Sequence, residues 1–271
     1  MTEHSIPVNE GVLLREDFGP IAVLTMNRPE ARNSLSVELT EAFLEQFVEL
    51  SDAPAVKAVV IAGNGPIFCA GHDIRELEQH RADEDGGEAY FNKSFAKSSS
   101  LMRAIVQSPK PVIAAVEGSA TAAGCQLVAT CDMAIASDEA EFCTPGVHIG
   151  LFCSTPAVAV ARNIGRKRAM EMLLLGEMVE AQDALEFGLV NRVVPRPEVM
   201  NFALELAEKI ASKSAAAIAM GKKTFYEQID APLGEAYDTA GWAMAKNMML
   251  HDAQEGLSAF LEKRQPQWRD S

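Results

Sequence analysis

The chain is short of cationic side chains, of long apolar runs and of paired cysteines. Its 24 lysines and arginines face 38 aspartates and glutamates, a formal net charge of −14 over 271 residues. That excess repels nucleic acid and anionic membrane surfaces, so neither is expected as a partner. No apolar stretch approaches the length that crosses a bilayer. The five cysteines (Cys69, Cys125, Cys131, Cys143, Cys153) are odd in number and show no C-x-x-C spacing. They read as reduced thiols, not as a disulfide framework or zinc site. Residues 1–7 carry no basic segment, apolar segment or Arg-rich amphipathic pattern, so a cytoplasmic location is expected. What is present is ordinary: 48% hydrophobic and 23% charged residues suit a soluble domain with a sizeable core and an appendage.

Short β-branched runs alternate with helical patterns. Residues Ile21–Met26 and 59–62 read as strands, and 36–51 as an amphipathic helix with the stripe Leu39, Phe43, Phe47, Leu50 and Ser36 as its N-cap. The acidic stretch 81–88 reads as exposed and mobile. Helix then runs to about Gln107, where Ser108-Pro109-Lys110-Pro111 stops it. Strands recur at Val112–Val116, 133–136 and 190–194. Beyond Glu198 strand signals cease, and helices are expected over 200–211, Ala215–Gln228, 233–249 and 251–264. The boundary falls near Pro195-Arg196-Pro197, dividing 1–197 from 198–271.

Two loops carry the chemical signal. The first is Ile67-Phe68-Cys69-Ala70-Gly71-His72-Asp73-Ile74. The second is Glu117-Gly118-Ser119-Ala120-Thr121-Ala122-Ala123-Gly124-Cys125-Gln126-Leu127, followed by Cys131-Asp132-Met133-Ala134-Ile135-Ala136. Each follows an apolar run and precedes a helical pattern. Small residues there let backbone N–H groups approach a ligand, and a helix N-terminus favours negative charge. Two such N–H groups together hold the oxyanion of an activated thioester carbonyl.

With Ile21-Ala22-Val23-Leu24-Thr25-Met26-Asn27-Arg28-Pro29 ahead of them and Glu255-Gly256-Leu257-Ser258-Ala259-Phe260-Leu261-Glu262-Lys263-Arg264 behind, these loops resemble the crotonase superfamily, the enoyl-CoA hydratase/isomerase family, over nearly the whole chain. The resemblance implies an α/β fold, a spiral of ββα units over 1–197 that holds an acyl-CoA pocket. It implies a C-terminal helical region over 198–271 that builds a homotrimer or dimer of trimers and helps close the CoA site. Coenzyme A would enter as part of the thioester substrate, with no separate cofactor or metal. The oxyanion donors fall at the N–H groups of His72 and Ala123. Adenine contacts fall at Ala70, Asp73 and Ile74, nucleotide contacts at Arg28, Ala31 and Arg32, and C-terminal contacts at Phe260 and Lys263. Many relatives have consecutive glycines where this chain has Ala122-Ala123-Gly124. A methyl group fits a helical backbone angle, so the departure is expected to be mild.

Hydratases of that family carry glutamates where this chain has Gln126 and Gly146. Hydration needs one group to deprotonate water and another to protonate the α-carbon, each contributing about 10²–10⁴ in rate. Gln126 has no useful pKa; it either orients a water or lines the pocket wall as a hydrogen-bonded amide. Gly146 offers only space and backbone. Double-bond isomerases of the family rely on a carboxylate at the second place, while in the dihydroxynaphthoyl-CoA synthase branch a bound anion serves beside a glycine. His72 and His148 are titratable substitutes, with a hydrogen-bonded structural role preferred for His148. Asp73 reads as a helix cap, and the cysteines as small buried hydrophobes. The leading reading is a thioester-processing enzyme lacking the usual acid pair, of lyase, isomerase or hydrolase type. Its rival is an acyl-CoA-binding protein without turnover.

Overall fold

A computed structural model describes residues 11–271, so the 1–7 stretch read for targeting lies outside the described residues. Strands in chain order are β1 (Leu13–Phe18), β2 (Ile21–Met26), β3 (Ala58–Gly63), β4 (Ile67–Cys69), β5 (Val112–Val116), β6 (Ser119–Thr121), β7 (Met133–Ser137), β8 (Glu141–Cys143), β9 (Val179–Glu180) and β10 (Arg192–Val194). Helices are α1 (Val37–Ser51), α2 (Ile74–Gln79), α3 (Glu88–Gln107), α4 (Ala123–Thr130), α5 (Ser154–Asn163), α6 (Arg166–Leu175), α7 (Ala181–Phe187), α8 (Val199–Ala211), α9 (Ala215–Gln228), α10 (Leu233–Asn247) and α11 (His251–Glu262). None of them is long and apolar enough to cross a membrane.

The strand pairs β3–β4, β5–β6 and β7–β8 each send their first strand into a six-stranded sheet, order β1-β2-β3-β5-β7-β10. Each sends its second into a four-stranded sheet, order β4-β6-β8-β9. A helix follows each pair, which makes the expected ββα spiral. The large sheet is parallel apart from β1–β2, with Val23 beside Val60, Val60 beside Ile113 and Ile113 beside Met133.

Both faces of that sheet are covered, which is why its strands read as unbroken apolar runs and not as alternation. One face (Leu24, Val59, Ile61, Ala114) packs on Leu39, Phe43 and Phe47 of α1, and α4 is buried along its whole length in the same core. The opposite face (Val23, Val60, Ile113, Ile135) meets Val199, Ala203 and Ala207 of α8, whose small residues at every fourth position allow close approach. Pro197 therefore marks the end of the strands, while the core continues through α8.

Three boundaries fall short of expectation by two residues each. The strand over 190–194 shortens to β10, because Asn191 Oδ1 accepts the Ala134 N–H at 2.8 Å and takes the place of a backbone pair. Helix 233–249 ends at Asn247, with Met249 N–H turning back to Lys246 at 3.0 Å. Helix 251–264 ends at Glu262, because Lys263 turns left-handed at φ 55°. The 81–88 stretch is largely exposed but has a defined turn, in which Asp85 accepts N–H bonds from Gly87 and Ala89, both at 2.9 Å.

The C-terminal helices are anchored by a buried ion network. Lys222 on α9 donates to Asp132 Oδ2 at 2.6 Å and to the carbonyls of Ile105 at 2.9 Å and Lys110 at 3.1 Å. Tyr226 Oη donates to the other Asp132 oxygen at 2.9 Å. Burial pushes the Lys222 ammonium below its ordinary pKa, although Asp132 opposes that shift. The Cys131-Asp132-Met133 motif thus fastens α9 to the sheet.

Candidate active site

The first loop is built against the segment that follows β2. Leu35 pairs with His72 as a parallel bridge, its N–H reaching Gly71 O at 2.7 Å and its carbonyl accepting from Asp73 N at 3.2 Å. This ladder uses the groups on either side of the His72 N–H, which therefore points away from it. Ala70 N–H donates to Arg32 O at 3.0 Å. Buried Asn33 fixes the corner: Nδ2 donates to Asn64 O and Ile67 O at 2.9 and 2.8 Å, and Oδ1 accepts from Arg28 N at 3.0 Å. Sequence reasoning missed Asn33; its left-handed backbone, φ 53°, is of a kind asparagine tolerates.

The second loop locks onto the first. Thr121 Oγ1 donates to Ala70 O at 3.0 Å, and Ala122 N–H to Cys143 O at 2.9 Å. A Cβ on Gly124 would lie 2.1 Å from Cys69 O, so only glycine lets α4 start so close to β4. Gly71 has φ +97°, and a Cβ there would meet Ala122 Cβ at 2.8 Å and Ala123 N at 3.2 Å. The chain thus brings the His72 and Ala123 N–H groups to neighbouring positions, and neither has a hydrogen-bond partner among the described residues. Ala123 opens α4, where such N–H groups carry the positive end of the helix dipole. Two free N–H donors aimed at one oxygen can stabilise an oxyanion.

The expected mildness of the alanine substitution needs correction at Ala122. It adopts φ 51°, ψ −118°, far from helical and in a region that favours glycine. Holding a side chain there costs of order 1–3 kcal/mol. Ala123 itself is helical, and its methyl is unstrained.

Gln126 lies one turn into α4 and is only 4% exposed. Helical side chains lean toward the N-terminus, which tips its amide back over the Ala122–Ala123 turn. Its Oε1 is buried without a partner among the described residues. An acceptor left in that state costs about 1–3 kcal/mol until a donor reaches it.

The His72 imidazole packs edge-on against Phe95 of α3, ring centroids 5.1 Å apart, and its Nε2 is also buried without a partner. Burial pushes its pKa from 6.5 down to about 4, so the ring is neutral at pH 7 and a weak base. In the unfolded chain the ring takes its proton near 6.5. Between that value and 4 the unfolded state binds more protons, so stability should fall as pH drops through the window, by roughly 3 kcal/mol in all. Melting curves from pH 7.5 to 4 should show the wild type losing more stability than His72→Phe. Parallel curves would contradict this assignment.

Gly146 is buried in a 3-10 turn, Pro145–Ile149, and its N–H donates to Cys153 Sγ at 3.3 Å. A Cβ at 146 would come within 2.9 Å of that sulfur and 3.1 Å of Leu151 O. His148 has the structural role preferred for it, with Nε2 3.2 Å from Gly176 O. All five cysteines are buried free thiols, as expected.

Around the first loop the structure gathers Arg28, Ala31, Arg32, Ala70, Asp73 and Ile74. Asp73 caps α2, its Oδ1 accepting from Arg75 N at 3.1 Å and Glu76 N at 3.3 Å. Its Oδ2 receives Arg28 at 3.0 Å and Ser34 at 3.2 Å. Burial pushes its pKa up, but these bonds outweigh burial and hold it below the ordinary carboxylate value. The Arg28 guanidinium is therefore already engaged, and the exposed cations left beside the loop are Arg32 and Arg75. Ile74 is exposed there too. Phe260 and Lys263 sit apart on and just beyond α11, which packs against α9; Phe260 is 81% exposed.

A profile of the enoyl-CoA hydratase/isomerase family matches residues 17–271. The chain is 45% identical over 245 residues to human "Enoyl-CoA hydratase domain-containing protein 3, mitochondrial", covering 90% of this chain and 79% of that protein. Among crystal structures, an enoyl-CoA hydratase from Mycobacterium smegmatis is 49% identical with TM-score 0.91, covering 96% of this chain and 99% of that one. The human enoyl-CoA hydratase domain-containing protein 3 is 44% identical with TM-score 0.90, over 95% of this chain and 100% of that one.

Proposed function

Because this chain belongs to the enoyl-CoA hydratase/isomerase family and has the crotonase fold, we propose that it binds acyl-CoA thioesters and polarises their carbonyl between the N–H groups of His72 and Ala123. The observation that carries this reading is the pair of free N–H groups brought together where Gly71 lies against Ala123 N. Removing one donor of such a hole costs about 10²–10³ in rate where it has been measured. The reaction begins with an enolate whose charge sits on the thioester oxygen. Water addition is weak, because neither Gln126 nor Gly146 exchanges a proton. Coenzyme A belongs to the substrate and no further cofactor takes part. The exposed apolar residues Phe152, Leu174, Tyr237, Trp242 and Phe260 support assembly as a trimer or dimer of trimers.

Calorimetry with acetyl-, octanoyl- and palmitoyl-CoA tests the reading. Binding of at least one thioester, weakened when the thioester carbonyl is removed in the corresponding thioether, is expected. No binding at any chain length would overturn it.

A further inference from the structure

The place of the second acid holds a sulfur atom. A Cβ built on Gly146 stands 2.9 Å from Cys153 Sγ, so the thiol fills the room a side chain at 146 would need. The Gly146 N–H donates to that sulfur at 3.3 Å. Cys153 also immediately precedes the first turn of the ten-residue helix α5, where the positive end of the dipole lies. Both features favour negative charge on the sulfur.

A thiol alone would say little. The second observation comes from α4, where Gln126 Oε1 is buried and partnerless, on a helical side chain whose general lean toward the N-terminus favours the Ala122–Ala123 turn. Ala122 N–H bonds Cys143 O at 2.9 Å, which seats the chain leading to Gly146 and Cys153 against the same turn. Through these contacts the segment that carries Cys153 is held beside α4, whose first turn carries the free Ala123 N–H and the orphan acceptor of Gln126. The titratable groups that Cys153 faces are the thiols of Cys125 on α4 and Cys143 on β8, both pushed up in part by its nearness. Among the described residues no three His, Cys, Asp or Glu side chains are grouped as a metal ion would require.

Resting on the acyl-CoA reading above, we propose that Cys153 is a catalytic residue, the proton carrier for the α-carbon of the bound thioester. As thiolate it takes the α-proton: the S–H bond forms and the Cα–H bond breaks. The released pair forms the enolate double bond, and the carbonyl π pair moves to the oxygen held by His72 and Ala123. Returning a proton from sulfur to the α-carbon reverses each change. Between the two events the S–H exchanges with solvent water. Burial pushes the Cys153 thiol up from its ordinary value of 9.0, although the Gly146 N–H opposes this, so the sulfur rests protonated and its turnover rises with pH.

The test is α-deuterium uptake from D2O into butyryl-CoA, read by mass spectrometry with calorimetry in parallel. The wild type should incorporate deuterium at a rate still climbing past pH 9. Cys153→Ala should lower it by about 10²–10⁴ with binding retained. Cys153→Ser, which keeps the shape but ionises far less readily, should be as slow and lose the pH rise. Cys131→Ala, in the core beside Asp132, should exchange like wild type. Binding without exchange in the wild type would overturn the proposal, as would Cys153→Ala at the wild-type rate. Loss of binding in both Cys153 variants would show a structural plug and overturn it too. A wild type that binds no thioester would instead overturn the acyl-CoA reading.

Discussion

The unmodified protein should leave crotonyl-CoA almost unhydrated, and Gln126→Glu, Gly146→Glu and Cys153→Ala together should raise hydration by about two to four orders of magnitude. On the proposed reading the His72 and Ala123 N–H groups already serve the thioester oxygen, so the substitutions supply only proton transfer. The third change is needed because a Cβ at 146 stands 2.9 Å from Cys153 Sγ; truncating the sulfur removes that shortest contact and leaves the backbone at Leu151 O, 3.1 Å away, to give by a few tenths of an ångström. Gly146→Glu alone should gain nothing and lose stability through that collision. Gln126→Glu alone should fall between, since it supplies a base for water and leaves the α-carbon to the thiol. Burial at position 126 would raise the new carboxyl's pKa toward neutrality, which suits a general base. Absorbance loss at the enoyl band measures the rate. Brisk hydration by the wild type would show that another group has taken over both proton transfers.

Lys222→Met should destabilise the fold by about 3–5 kcal/mol, the cost of leaving one member of a buried ion pair alone. The lysine side chain is 7% exposed, and its ammonium is the one cation bonded to Asp132 among the described residues. Adding Asp132→Asn should recover part of the loss by removing the uncompensated charge: the amide oxygen can take over from Asp132 Oδ2, which accepts the Val112 N–H at 2.7 Å, and the amide NH2 on the other side can donate to Tyr226 Oη. Urea unfolding of the three proteins measures this directly. A loss below about 1 kcal/mol for Lys222→Met would place the network among weak surface pairs.

How much was legible before the fold was known depended on how local each signal is. Strands β2, β3 and β5 are buried on both faces and announce themselves as β-branched runs. Helix α1 shows its stripe, and its cap holds as expected, with Leu39 N–H on Ser36 Oγ at 3.1 Å. The two- and three-residue strands β6, β8 and β9 are too short to show a period, so the second sheet was invisible without the resemblance. The site loops were legible through their small residues. The strain at Ala122 was not, because the torsion follows from how β6 delivers the chain to α4. Asn33 and Lys222 act on residues more than 30 positions away, as in the 2.8 Å bond from Asn33 to Ile67 O and the 2.6 Å bond from Lys222 to Asp132. Cys153 read as a small hydrophobe because the chain between it and Gly146, seven positions earlier, hides their contact.

The central claim is that the His72 and Ala123 N–H groups grip a thioester carbonyl. Carbon-13 NMR of butyryl-CoA labelled at the carbonyl measures that grip without requiring turnover. The account predicts a downfield shift of the carbonyl resonance on binding, because two N–H donors draw charge onto the oxygen. Gly71→Ala, which forces a methyl against Ala122 and Ala123 N, should reduce the shift. A thioester that binds with its carbonyl resonance unmoved would contradict the account.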